Sequence, residues 1–144
     1  ERIVAYLEQA NDCFFSYFDK SINQHPGDPV RQITQYFEDL QHRASREGYR
    51  GCPFVNVAAE FPDPSHPARQ IVARNKAQLI ERLTALTTAA GADDPVALAD
   101  ALALLLEGVY AASQTYGPGC GPVRSAARVA AQLVAAACPQ HAGG

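Results

Sequence analysis

The sequence predicts an all-α fold: an orthogonal or antiparallel bundle of about six helices, forming one domain over residues 1–144. Three observations predict it. The segments "HPGDPV", "SHPARQ", "DDPVAL" and "CGPVRS" each set a proline just before an amphipathic run. Proline suits the first helical turn, where its missing N–H is not needed and its fixed φ is already helical. Glycines follow several of the runs, with Gly48, Gly91 and Gly117 as plausible stops, because glycine adopts the left-handed C-terminal conformation at little cost. Finally, no segment shows the period-two alternation and turn spacing of a sheet. A chain of 144 residues suits one hydrophobic core.

The first helix is expected over residues 1–23. Ile3, Leu7, Ala10, Phe14 and Phe18 (or Tyr17) fall on one face, and around "CFFSYF" the apolar character spreads nearly all round, which implies burial on every side. The second, 29–46, starts after the capping residue Asp28 and turns Val30, Ile33, Tyr36, Phe37 and Leu40 inward. The third, 52–61, is short and apolar, bracketed by Gly51 on one side and by Pro62, Pro64 and Pro67 on the other. The fourth, 67–90, opens after Ser65 or His66 as cap; Val72, Leu79, Leu83 and Leu86 form its stripe, widened by Ile80. Arg69, Arg74, Lys76, Glu81 and Arg82 form its solvated side.

The fifth helix, 95–116, follows Asp94 and carries Val96, Leu98, Leu102, Leu105, Leu106 and Val109. A second stripe of Ala101, Leu104, Gly108 and Ala111 lies beside the first. The sixth, 122–137, is mostly alanine, with Arg124, Arg128 and Gln132 sharing one polar face. Small residues let helix axes approach closely. Two such helices suggest a flat contact surface, which in a homodimer makes an isologous four-helix bundle. The alternative is that both faces are covered within one chain.

Composition excludes several classes. Hydrophobic residues make up 47% and charged residues 19%, which is globular and not disordered. Net charge is −3 and the basic residues are scattered, so the chain offers no obvious nucleic-acid surface of its own. No run looks long enough to span a membrane, and the N-terminus is not a signal peptide. The chain lacks methionine and begins in helical pattern, which reads as a piece of a longer protein. None of Cys13, Cys52, Cys120 and Cys138 forms a CxxC pair. The reading is therefore dispersed, buried thiols in a cytoplasmic protein, with Cys120 the most exposed and no metal implied.

Catalytic constellations are scarce. There is no phosphate-binding glycine loop, no GxSxG and no HExxH. His66 beside Asp63 and Glu60 could form an acid–base group, but capping of the helix opened by Pro67 is the better account. Aromatic residues concentrate in the first half, from three different helices. They could line an apolar binding pocket. On composition alone an ordinary packed core is the better reading; Asn56, Glu60 and Asn75, polar residues close to apolar faces, count the other way.

"GCPFVNVAAEF", then "HPARQIVARNKAQLIERLTALTTAAGADDPVALADALALLLEGVYAASQTYG", resembles the C-terminal domain of TetR-family transcriptional regulators over roughly residues 48–137. The order Gly51-Cys52, Asn56, Glu60, His66-Pro67, Lys76, Leu79, Leu83, Ala90-Gly91, Asp94-Pro95 carries the likeness; residues 1–47 fit the two preceding helices by pattern only. The resemblance implies a domain that binds a small effector and forms a homodimer through its last two helices, 95–137. Operator DNA would be gripped only by an N-terminal helix-turn-helix domain absent from this chain, linked through helix 1–23. No cofactor, no enzymatic activity and no membrane contact are implied. By face counting, Phe14, Tyr17, Phe37, Phe54, Val57, Leu83, Leu105 and Tyr110 are the expected lining of an apolar or aromatic effector, with Asn56 and Glu60 as polar anchors. Ala101, Leu104, Gly108, Ala111, Ala127, Ala130, Ala131 and Val134 are the expected dimer interface. A dimerisation scaffold with a filled core, and a small enzyme using Glu60 and His66, are the rival readings.

Overall fold

The computed structural model describes residues 2–139. Among these residues seven helices follow one another: α1 (Arg2–Ile22), α2 (Pro29–Arg43), α3 (Pro53–Glu60), α4 (Pro67–Ala89), α5 (Pro95–Thr115), α6 (Gly121–Arg124) and α7 (Ala126–Ala137). Among the described residues there is no strand. Proline occupies the first turn of every helix from α2 to α6. Three of these starts are capped by side chains that take up otherwise unsatisfied N–H groups. Asp28 accepts from the Arg31 N–H at 3.2 Å, His66 Nδ1 from Ala68 at 3.1 Å, and Asp94 from Ala97 at 3.1 Å. At the end of α4, Gly91 adopts φ 77°. That left-handed turn lets the Ala92 N–H reach back to Thr87 O at 3.1 Å, closing the helix in the manner of a Schellman motif.

The core sits where α1, α2 and α4 meet. α4 also packs along α5, and α7 is laid against both α2 and α5. Leu7, Ile33, Tyr36, Phe37, Leu40, Leu79, Leu83, Leu102 and Leu106 are all fully buried. Aromatic rings connect three helices at the centre: Phe54 of α3 meets Phe14 of α1 at 6.2 Å, Phe18 meets Tyr36 of α2 at 5.0 Å, and Tyr36 meets Phe37 at 5.5 Å. The Phe14–Phe54 and Tyr36–Phe37 pairs meet edge-on, and each adds about 0.5–1.5 kcal/mol beyond its buried area. On the outside, Arg82 of α4 clamps α1: its guanidinium lies 4.4 Å from the Phe15 ring and 2.7 Å from Asp19.

Several expectations need correction. The single last helix is two. At Ser125 the N–H turns to Pro122 O at 3.2 Å and the hydroxyl to Gly121 O at 3.0 Å, tightening the backbone. An amide in the first turn of the new helix, Ala127 N–H, is then taken by Gln41 Oε1 of α2 at 3.0 Å. The second helix stops at Arg43 and not at 46, which frees an irregular connector between α2 and α3. α1 is not buried all round at "CFFSYF": Phe15 and Phe18 are buried, whereas Cys13 and Tyr17 are exposed. Cys13, rather than Cys120, is accordingly the exposed thiol, because Cys120 tucks its Sγ toward Ala112 O at 3.7 Å. And α5 is, by length and composition, apolar enough to cross a membrane; one of its faces is a core face against α4 and α7.

Candidate functional site

The connector after α2 is short of periodic apolar residues but rich in turns. Its backbone steps through Ser45 N–H to His42 O at 3.3 Å, Arg46 N–H to Arg43 O at 3.2 Å and Tyr49 N–H to Arg46 O at 3.2 Å. Glycines 48 and 51 then adopt φ of 83° and 80°, which only glycine reaches without strain. The connector therefore folds back over the gap between α1 and α3. A cavity of about 400 Å³ lies beneath it. Ala10, Cys13, Phe14 and Tyr17 come from α1, Leu40 and Arg43 from α2, Pro53 and Phe54 from α3, and Tyr110 from α5; Arg46, Glu47, Gly48, Tyr49, Gly51 and Cys52 come from the connector. The volume lies in the range of small-molecule sites. Exposed Cys13, Tyr17, Arg46, Glu47 and Gly48 make its rim, while Leu40, Cys52, Phe54 and Tyr110 are buried at its base.

The base is polar in a controlled way. Tyr36 and Tyr110 sit together there, both buried, and the Tyr110 hydroxyl eases ionisation of Tyr36. Burial raises the pKa of both phenols above the ordinary tyrosine value and pushes that of Tyr49 up to about 12. The Arg43 charge works against burial at all three, so all three phenols sense that guanidinium. Arg43 stacks on the Tyr17 ring at 4.4 Å, a cation–π contact. Burial also raises the Cys52 thiol, with the Lys76 charge opposing it. Behind Tyr110, Lys76 is paired with Glu107 at 2.6 Å. Among the described residues no cluster of three or more His, Cys, Asp or Glu could hold a metal ion.

Of the expected lining, Phe14, Tyr17, Phe54 and Tyr110 do line this cavity. Phe37, Val57 and Leu83 are instead buried core residues, and Leu105 packs against that core half-buried. Asn56 and Glu60 are exposed. On a helix turning about 100° per residue, Asn56 is roughly 200° from the inward-facing Phe54. Asn56 has a different task. Gln114 of α5 donates to its Oδ1 at 2.9 Å and to Arg50 O at 3.0 Å, while Asn56 Nδ2 donates to Arg50 O at 3.3 Å. These bonds fasten the connector and α3 to the end of α5. Glu60 and His66 do not pair: His66 caps α4, and its ring lies 4.6 Å from Phe61. Asp63 is held below the ordinary carboxylate value by the Ser65 N–H and hydroxyl.

Arg43, Tyr49 and Cys52 were missed by sequence reasoning. The one available signal for them was the glycine pair, Gly48 and Gly51, bracketing a tyrosine. On the expected dimer face, Leu104, Gly108, Ala111 and Ala131 are exposed and Ala101 and Ala127 half-buried. Ala130 and Val134 correct that list, since both are buried within the chain. With Ala126 they follow a four-residue spacing on the inner side of α7, and the alanine-rich sequence had not distinguished that side from the outer one.

A helical domain with a ligand-sized cavity under a glycine-hinged connector, and an exposed apolar face on its last long helices, defines the class. The model of the family described as "Tetracyclin repressor-like, C-terminal domain" matches residues 29–129. The chain belongs to that family. It is 31% identical over 78 residues, 54% of its own length, to the HTH-type transcriptional regulator YjdC of Escherichia coli (strain K12), and equally to that of Shigella flexneri. The match spans 41% of those relatives' length. Among solved structures, a TetR-family transcriptional regulator from Streptomyces coelicolor superposes with a TM-score of 0.81 at 25% identity, over 96% of this chain and 65% of that one. A TetR-type regulator from Streptomyces avermitilis shares the fold, with a TM-score of 0.75 at 24% identity over 94% and 72% of the two chains.

Proposed function

We propose that this chain is the effector-binding and dimerisation domain of a TetR-like transcriptional repressor, acting in the cytoplasm as a homodimer. In that reading a separate helix-turn-helix unit grips operator DNA, as the name of the curated relatives suggests. The observation that carries it is the cavity of about 400 Å³, to which α1, α2, α3 and α5 all contribute. α1 supplies four of its lining residues, so a ligand that fits best when α1 is shifted would move whatever α1 is joined to. A ligand shifts such an equilibrium only by its difference in affinity for the two states. About 5.5 kcal/mol of difference carries a two-state switch from almost wholly one form to almost wholly the other.

The test is a thermal-shift screen of the chain against small apolar and aromatic compounds. A true effector should raise the melting temperature in proportion to the logarithm of its concentration above saturation. A screen of broad coverage with no such compound returns the chain to a dimerisation scaffold.

A further inference from the structure

Arg43 is the unusual group in the cavity wall. It ends α2, is half-buried, and is held by the face of Tyr17 at 4.4 Å. The ion pairs among the described residues are Lys76–Glu107 and Arg82–Asp19, and the Arg43 guanidinium is in neither. The lining holds one carboxylate, Glu47, which is exposed at the rim beside Arg46. Its other walls are apolar or neutral: Ala10, Phe14, Leu40 and Phe54, with the phenols of Tyr49 and Tyr110. A planar cation with five N–H donors, partly withdrawn from water and lacking an acidic partner, matches the geometry of a carboxylate.

We propose that the cavity takes a monoanionic ligand, its carboxylate on the Arg43 guanidinium and its aromatic or aliphatic body against Phe14, Leu40 and Phe54. This deepens the effector reading and rests on it. The contact with Tyr17 holds the guanidinium before the ligand arrives, so less side-chain freedom is lost on binding. Discrimination should be strong, because a neutral ligand would cover the cation without pairing it.

The experiment is calorimetric titration of the 144-residue chain with two matched pairs: 2-naphthoate against 2-naphthamide, and decanoate against decanamide. Each acid should bind at least about ten-fold tighter than its amide. In Arg43→Gln that preference should vanish while amide affinity stays. Arg43→Lys, which keeps the charge but loses the fork, should retain part of the preference, and serves as the reading if Arg43→Gln does not fold. Equal binding of acid and amide, or a preference that survives Arg43→Gln or is lost only in Arg46→Gln, overturns the proposal. Amide binding without acid preference, or failure of all four compounds to bind, overturns the anionic assignment; the effector reading falls only if the broad thermal-shift screen is empty as well.

Discussion

Asn75 is fully buried on α4. Its Nδ2 donates to Asn11 Oδ1 at 2.8 Å, and its own Oδ1 has no partner. An orphaned buried acceptor costs about 1–3 kcal/mol. Leucine has the same branched shape and nothing to desolvate, while half-buried Asn11 can turn to water. Asn75→Leu should therefore be neutral or stabilising by about 1 kcal/mol, read from the denaturant midpoint at unchanged slope; a loss larger than that would mean the amide does more than fill space. The Tyr36–Tyr110 pair makes the opposite case. Tyr36→Phe removes a buried hydroxyl from beside Tyr110 and should cost about 1 kcal/mol at neutral pH. Its pH signature is distinct. The folded phenols of Tyr36, Tyr49 and Tyr110 ionise above the ordinary value. Below about pH 10 both folded and unfolded forms keep the proton, and the stability is complete. Above that, the unfolded chain releases protons that the folded chain retains, so stability falls as pH rises, toward about 12 for Tyr49. Tyr36→Phe should make that alkaline fall shallower, measured as unfolding free energy at successive pH values.

The helices were legible because each carries its own signals. Asp28, His66 and Asp94 stand where caps are needed, and Leu79 and Leu83 repeat at helical spacing. The cavity was legible only where it borrows from helices, at Phe14, Tyr17, Phe54 and Tyr110. Its remaining wall is a connector, whose path depends on a tertiary fastening that no periodicity encodes. That fastening is Gln114. At Gly51, φ is +80° and an added Cβ would lie 2.5 Å from Gln114 Nε2. Gly51→Ala should cost about 1–2 kcal/mol for the left-handed backbone, plus whatever is needed to displace the Gln114 amide. Gln114→Ala alone should loosen the connector by about 1 kcal/mol by removing its two bonds. The double variant should cost less than the sum, because the clash has already gone. A double-mutant cycle by chemical denaturation decides it; strict additivity would mean that Gln114 does not press on Gly51. The break at Ser125 was hidden for the same reason: the Gln41 side chain that receives the Ala127 amide is 86 residues away in sequence.

For the molecule as a whole, α5 and α7 leave a question of solvent. Of the most apolar 18-residue window in α5, 39% is buried within the chain. Leu104 is 75% exposed and Val96 59%. Gly108, Ala111 and Ala131 are also exposed, a surface with few side chains long enough to hold two helices apart. Ala130 and Val134 turn inward, so any partner meets the outer side of α7 and the Leu104 side of α5. Exposed apolar side chains along one helix face of a lone chain invite association, and an isologous pair would cover them on both copies at once. If that is how the face is covered, folding and association are linked, and the melting temperature should rise with protein concentration. Leu104→Arg places a charge at the centre of the face without touching the core. It should give a species of half the mass by light scattering, with an unfolding midpoint that no longer depends on concentration. Gly108→Leu should have a related effect through bulk alone, since a Cβ there meets nothing in its own chain. A chain that is monomeric at micromolar concentration before either change would overturn the dimer.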